Sequence, residues 1–226
     1  RQGGIGHDVV APGSPVARSH WLLRNKGDGT FEDVTVSSGI LTPRQAQAPG
    51  VLRPGEIWAF GDVDNDGDVD VYTGLDTLDR VMTLGESSEV MLNDGHGHFT
   101  LGPDDSDARV ATGTDSVAGA SFLDYDRDGV LDLWVSENGD DSGGGQSQLY
   151  HGTGDGHFAR VTSDIGLTTR SWGSITDLDQ GLSHARSWAA AACDLEGDGT
   201  PDVMAPSYGR APNLLFVGHR AADGTV

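Results

Sequence analysis

Three short segments carry the residue types best able to do chemistry. They are Asp62-Val-Asp-Asn-Asp-Gly-Asp-Val-Asp70, Asp124-Tyr-Asp-Arg-Asp-Gly-Val-Leu-Asp132 and Asp194-Leu-Glu-Gly-Asp-Gly-Thr-Pro-Asp202, and all fit D-x-[DE]-x-D-G-x-x-D. Alternate side chains of a tight loop can turn inward together. A hard cation such as Ca2+ takes roughly six to eight oxygens at about 2.3–2.6 Å, which such a loop can supply. Gly at position 6 allows the sharp bend. The predicted ligands are Asp62, Asp64, Asp66 and Asp70 with the Asp68 carbonyl; Asp124, Asp126, Asp128 and Asp132 with the Val130 carbonyl; and Asp194, Glu196, Asp198 and Asp202 with the Thr200 carbonyl. Four carboxylates gathered without a cation would repel one another strongly.

Two other loop types share part of this pattern. A helix–loop–helix calcium site starts the same way but needs Glu at position 12 and helical flanks. Position 12 here is Thr73, Val135 or Ala205, and the flanks are β-prone. An ordinary Asp/Gly surface turn would fit one such loop alone. Three in register point instead to about three structural Ca2+ ions. The third loop departs from the other two, with Glu196 at position 3, Gly197 after it and Pro201 before the closing Asp202.

The elements that position these loops follow from internal repetition. Each closing Asp leads into an apolar, β-prone stretch, and His7-Asp8-Val9-Val10-Ala11-Pro12 parallels Pro201 to Pro206 as a truncated fourth copy. Asp8, Asp70, Asp132 and Asp202 are spaced by 62, 62 and 70 residues. Gly3 to Gly6 lacks the carboxylates of a fourth site. A second motif recurs in phase: Leu23-Arg-Asn-Lys-Gly-Asp-Gly-Thr-Phe31, Leu92 to Phe99 and Tyr150 to Phe158, with a looser copy from Phe216 to Val226. Asn or Asp followed by Gly between apolar segments signals a hairpin, and the closing Phe is expected to pack inward.

Each repeat therefore reads as four short strands. They are placed at 57–61, 69–74, 89–92 and 98–101, then 118–123, 131–136, 147–151 and 157–162, then 187–193, 202–206 and 213–217. Four strands per unit and a period above 60 predict an all-β, partial β-propeller over residues 1–226. It has an incomplete blade at 1–40, blades at 56–110 and 117–170, and an incomplete blade at 187–226. Propellers close with roughly four to eight blades. The expectation is a piece of a longer ring, the missing blades coming from the same chain; the alternative is that a partner chain supplies them.

Composition sets the limits. The chain has 226 residues, 14 basic against 35 acidic, and a formal charge of −21. Such acidity repels the phosphate backbone and anionic membranes, so nucleic-acid binding is excluded. Three divalent ions would still leave it strongly acidic. Gly numbers 34 and apolar residues 36%, which suits tightly turned β structure. The longest apolar run, Trp188 to Cys193, is too short to span a bilayer. Cys193 is the one cysteine, so disulfides do not staple the fold. The chain starts at Arg1 with no leader visible, as expected of a processed end or a cut within a longer chain.

Trp58 to Asp70 and Asn25-Lys-Gly-Asp-Gly-Thr-Phe-Glu-Asp-Val-Thr35 resemble FG-GAP, or VCBS-type, repeats. These occur in integrin α-subunit propellers and many secreted bacterial proteins. The second motif is similar to bacterial proteins related to cartilage acidic protein. The resemblance implies a β-propeller, often seven-bladed, with Ca2+ in its blade loops and an extracellular, periplasmic or cell-surface setting. It does not imply one activity, because a fold hosts many.

Catalysis finds little support. His98 and His157 fill the same slot before the hairpin Phe, which reads as a structural turn, with His96 beside the first. No H-E-x-x-H, G-x-S-x-G or C-x-x-C motif is present. Cys193 reads as a small buried residue, and Trp58, Trp134 and Trp188 read as core. Trp172 lies in the longer third interval. With Asp177, Asp179, His184 and Arg186 it could stack on a sugar and bind its hydroxyls; a loop plugged by Trp172 is the plainer reading. Leu41 to Gly55, with three prolines, reads as a semi-rigid surface connection, and 137–148 as a flexible tip. The expected function is a calcium-binding extracellular module for adhesion or for protein or glycan recognition. A sugar-active enzyme such as a polysaccharide lyase, and a structural accessory subunit, are the alternatives.

Overall fold

The computed structural model describes residues 21–45, 53, 55–75, 86–109, 116–138, 145–173, 183–207 and 212–221. The described residues form strands joined by turns and loops, with no helix. Strands β1 (Leu23–Asn25) and β2 (Phe31–Asp33) make a hairpin. Strands β3 (Ile57–Gly61), β4 (Asp70–Gly74), β5 (Glu89–Asn93) and β6 (Phe99–Leu101) form an antiparallel meander in that order. Strands β7 (Val117–Leu123), β8 (Asp132–Glu137), β9 (Gln148–Gly152) and β10 (Phe158–Arg160) repeat it. A short parallel pair, β11 (Arg170–Ser171) and β12 (Ser183–His184), precedes a three-stranded sheet of β13 (Ala191–Cys193), β14 (Asp202–Ala205) and β15 (Leu214–Phe216).

The all-β class therefore holds. The eight strands expected between 57 and 162 form within two residues of their expected bounds. Strand β13 starts four residues later than expected, with an isolated bridge between Ser187 and Ser207 ahead of it. The Asp8 copy of the repeat lies outside the described residues.

The sheets stack face to face in chain order. Strands β4 and β8 are buried along their whole length, because both faces of each sheet are covered. That explains their near-continuous apolar runs. On one face, Val71, Met91 and Phe99 pack with Ile40 and Leu41 of the preceding repeat. On the other, Ala59, Tyr72 and Val90 pack with Leu133, Val135, Tyr150 and Phe158 of the following one. The pattern continues one repeat on, where Trp134 and Leu149 meet Val203, Ala205 and Leu214. The first strands of successive sheets lie side by side, β3 against β7 and β7 against β13. Gly119 on β7 permits this approach, since a Cβ there would come within 2.5 Å of the Ala189 backbone.

Several sequence expectations change here. Trp134 is fully buried and Trp58 packs on the core, but Trp188 is largely exposed because it precedes β13. Cys193 is exposed, not buried, on the outer face of the last sheet. Phe99 and Phe158 pack inward, while Phe31 does not. The tip at 137–148 has fixed ends: Glu137 and Asn138 are buried, and Gln146 accepts from the Thr169 N–H at 2.7 Å.

The connection at 41–55 is not merely surface. Arg53 is fully buried and donates to Glu89, to the Ser87 carbonyl, to Thr73 Oγ1 at 2.8 Å and to Glu86 at 3.3 Å. Arg44 joins through Glu89 at 2.8 Å. Two buried carboxylates thus share one buried guanidinium, and removing it takes the ion pair from Glu86 and leaves Glu89 to the partly exposed Arg44 and Arg109. Arg53→Ala is expected to cost about 3–5 kcal/mol. Urea unfolding followed by fluorescence reads this directly; a loss below about 1 kcal/mol would mean the pair is solvated.

Candidate metal centre

The three acidic loops each join the first strand of a sheet to the second, and their internal hydrogen bonds nearly superimpose. In the first, Asp62 Oδ1 accepts from the Asp66 N–H at 3.1 Å and Oδ2 from the Gly67 N–H at 3.1 Å. In the second, Asp124 accepts from Asp128 at 3.1 Å and Gly129 at 3.0 Å. In the third, Asp194 accepts from Asp198 at 3.1 Å and Gly199 at 2.8 Å. Position 5 then accepts from the N–H of position 7: Asp66 from Asp68, Asp128 from Val130 and Asp198 from Thr200, at 2.8–2.9 Å.

The closing aspartate is the deepest part of each loop. Asp70 accepts from the Val63 N–H at 2.9 Å and the Asn93 N–H at 2.8 Å. Asp132 does the same with Tyr125 at 2.8 Å and Gly152 at 2.9 Å, and Asp202 with Leu195 at 2.7 Å and Gly218 at 3.0 Å. Each carboxylate ties the loop to the end of the third strand of its sheet. The oxygens of Asp70 and Asp202 and Asp132 Oδ2 each keep a further lone pair for a cation, while Asp132 Oδ1 also meets His151 Nδ1.

Backbone conformation explains the loop sequences. Position 6 is left-handed in all three, at Gly67, Gly129 and Gly199. So is position 4, with φ of 58° at Asn65, 65° at Arg127 and 74° at Gly197. Asn and Gly tolerate this region, whereas Arg is strained in it. Gly197 is thus the unstrained form of a shared conformation. Position 4 also links successive loops. Asn65 Nδ2 donates to the Gly129 carbonyl at 3.3 Å, and the Arg127 guanidinium lies against Gly199. The backbone N–H groups of Gly199, Gly197 and Asp198 hold the Asp194 carboxyl below the usual carboxylate range, against the effect of burial, and the Arg127 charge adds the smallest part.

The carboxylates converge. Donor atoms of Asp62, Asp64 and Asp66 lie within 4.8 Å of one another, as do those of Asp124, Asp126 and Asp132. Two histidines join where the sequence gave no signal. His151 completes a group with Asp126 and Asp128, and His219 one with Glu196 and Asp198. His151 Nδ1 lies 3.0 Å from Asp132 Oδ1, and its ring meets Tyr125 edge-on. Neither histidine occupies a slot repeated elsewhere, so only the fold brings it to its loop. The Asp68 side chain points elsewhere, over the hairpin turn at Gly95, where a Cβ would meet it at 2.3 Å.

Burial pushes the Asp132 carboxyl up to about 6 and raises Asp70 as well. Asp64 is raised by burial and by neighbouring Asp66. At Asp64, Asp70 and Asp132 the fold itself disfavours the charged form.

The other expected site is only partly assembled. The Trp172 N–H donates to the His184 carbonyl at 2.7 Å, and Thr169 Oγ1 lies 2.8 Å from His184 Nδ1. His184 is buried, which lowers its pKa, and Arg186 is half-buried. Asp177 and Asp179 lie outside the described residues. The turn histidines pair locally, His98 with Asp94 at 3.3 Å and His157 with Asp155 at 3.0 Å. Among the described residues no helix is long and apolar enough to cross a membrane. A scan against protein-family models finds no match, and a search of curated proteins finds no significant relative.

The raised Asp132 carboxyl has a definite pH signature. The folded chain holds this proton to about pH 6, whereas an unfolded aspartate loses it near about 3.9. Between these values the folded state binds more protons, so stability falls as pH rises. Melts in chelator are expected to drop from pH 4 to pH 6.5, with Asp132→Asn flattening the drop. An unchanged slope in Asp132→Asn would assign it to general charge repulsion.

Proposed function

We propose that the chain is a calcium-stabilised β-propeller module of FG-GAP or VCBS type, acting outside the cytoplasm in adhesion or in recognition of a protein or glycan. The observation that carries this reading is the threefold recurrence of one acidic loop with one hydrogen-bond scheme. Oxygen-rich loops favour a hard cation over a soft one. Millimolar extracellular calcium fills even weak sites of this kind. The face-to-face stack of four-stranded meanders, with first strands side by side, is the arrangement expected of consecutive blades.

The ions would be held by Asp62, Asp64, Asp66 and Asp70, by Asp124, Asp126, Asp128 and Asp132, and by Asp194, Glu196, Asp198 and Asp202. The carbonyls of Asp68, Val130 and Thr200 add further oxygens. Calcium neutralises carboxylates that the fold otherwise drives toward protonation, and substitutes for disulfides in bracing short strands. The third loop, with Glu196 at position 3 and its extra Gly197 N–H to Asp194 at 2.7 Å, is expected to bind most weakly.

Ligand binding to the folded state alone raises the melting temperature. Excess EGTA is expected to lower it by several degrees, and Ca2+ to restore it, more strongly at pH 7 than at pH 5. Asp124→Asn with Asp126→Asn should remove one of the ions counted by calorimetry. A melting curve indifferent to both EGTA and Ca2+ overturns the proposal.

A further inference from the structure

Position 4 of an acidic loop reaches position 6 of the loop one repeat on, and the two such pairs among the described residues differ in charge. Asn65 of the first loop donates from Nδ2 to the Gly129 carbonyl of the second at 3.3 Å. Arg127 of the second loop lies against Gly199 of the third. Its Cζ and both terminal nitrogens are 3.1 Å from where a Cβ on Gly199 would stand. The register is shared, but the first link is a neutral amide and the second a full positive charge. Arg127 keeps a left-handed backbone to make its contact, with φ of 65°, although Gly197 shows that glycine serves at this position. Such outliers concentrate where ligands are held or switched. The guanidinium thus stands beside the loop that carries Asp194, Glu196 and Asp198. Asp194, lowered first by the Gly199 N–H, also feels the Arg127 charge as the smallest of its influences.

We infer that Arg127 is a tethered cation that opposes calcium in the third loop and makes that loop fill last. This inference rests on the calcium reading above. A fixed positive charge beside a set of carboxylates offsets part of the field that attracts a divalent ion, and it repels the ion directly. The second loop has the neutral Asn65 at the same place and escapes both effects. Glu196 weakens the third loop through the length of its side chain, which salt does not alter. The Arg127 effect is electrostatic and fades with salt. The consequence is a graded response. At calcium levels between the two affinities, the loops at 62–70 and 124–132 are braced and the loop at 194–202 is not.

Calorimetric titration of the calcium-free full chain with Ca2+ tests this. The unmodified chain is expected to show two tighter sites and one weaker. Arg127→Asn copies the residue of the first loop, which holds the same left-handed conformation. It is expected to raise the weakest affinity about threefold in about 20 mM KCl, and by much less in about 500 mM. Arg127→Lys keeps the charge and is expected to leave the weakest affinity within about twofold of its original value. Asp194→Asn with Asp198→Asn removes the weak phase, and in that background Arg127→Asn is expected to leave the two tighter sites unchanged. An unaltered weak site in Arg127→Asn, a gain that survives high salt, an equal gain in Arg127→Lys, or a gain confined to the tighter sites gives Arg127 a purely structural role and overturns the inference. Three equal sites in the unmodified chain overturn this inference alone, whereas a chain that takes up no Ca2+ overturns the function proposed above.

Discussion

The organisation of the chain depends on one buried interaction made three times. Asp70, Asp132 and Asp202 each sit at the start of a second strand with almost no exposure, and each carboxylate accepts two backbone N–H groups. One donor belongs to the acidic loop and the other to the end of the third strand. A single side chain thereby fixes loop, strand and hairpin to one another. Charge-assisted bonds of this kind are stronger than neutral ones, and leaving their buried donors unmade is costly. Burial of these carboxylates also prepares a negative potential under the loop, into which the proposed cation fits.

The sheets add a second constraint, which is lateral. Strands of two to seven residues hold little stability by themselves. Their stability comes from being covered on both faces, as Val71 and Tyr72 are by the repeats before and after. Polar devices work within the same space. The Arg53, Glu86 and Glu89 cluster ties the connection between repeats to β4 and β5.

The acidic loops also communicate along the stack. The left-handed residue at position 4 aims its side chain at the next loop, Asn65 toward Gly129 and Arg127 toward Gly199. Arg127 accepts local strain and in exchange lies near Asp194. Strain of this sort persists where surrounding contacts over-determine the conformation. The loops therefore form a connected acidic edge, with His151 and His219 set against the second and third.

The sequence by itself determined the strand order, the hairpins and the loops that gather carboxylates, because each is local. The Asp-Gly hairpin turns and the D-x-[DE]-x-D-G spacing act over fewer than ten residues and recur, so repetition averages out chance. Tertiary structure decided what depends on neighbours far away in the chain. Arg53 reads as a surface residue of a proline-rich connection until Glu86 and Glu89 are brought around it. Cys193 and Trp188 read as core because they lie in an apolar, alanine-rich run, yet Trp188 falls ahead of β13 and Cys193 lies on that strand's exposed face. His151 and His219 reach their loops only because the third strand of each sheet returns beside the second. Local geometry is written in spacing, whereas burial at a position depends on which sheet comes next.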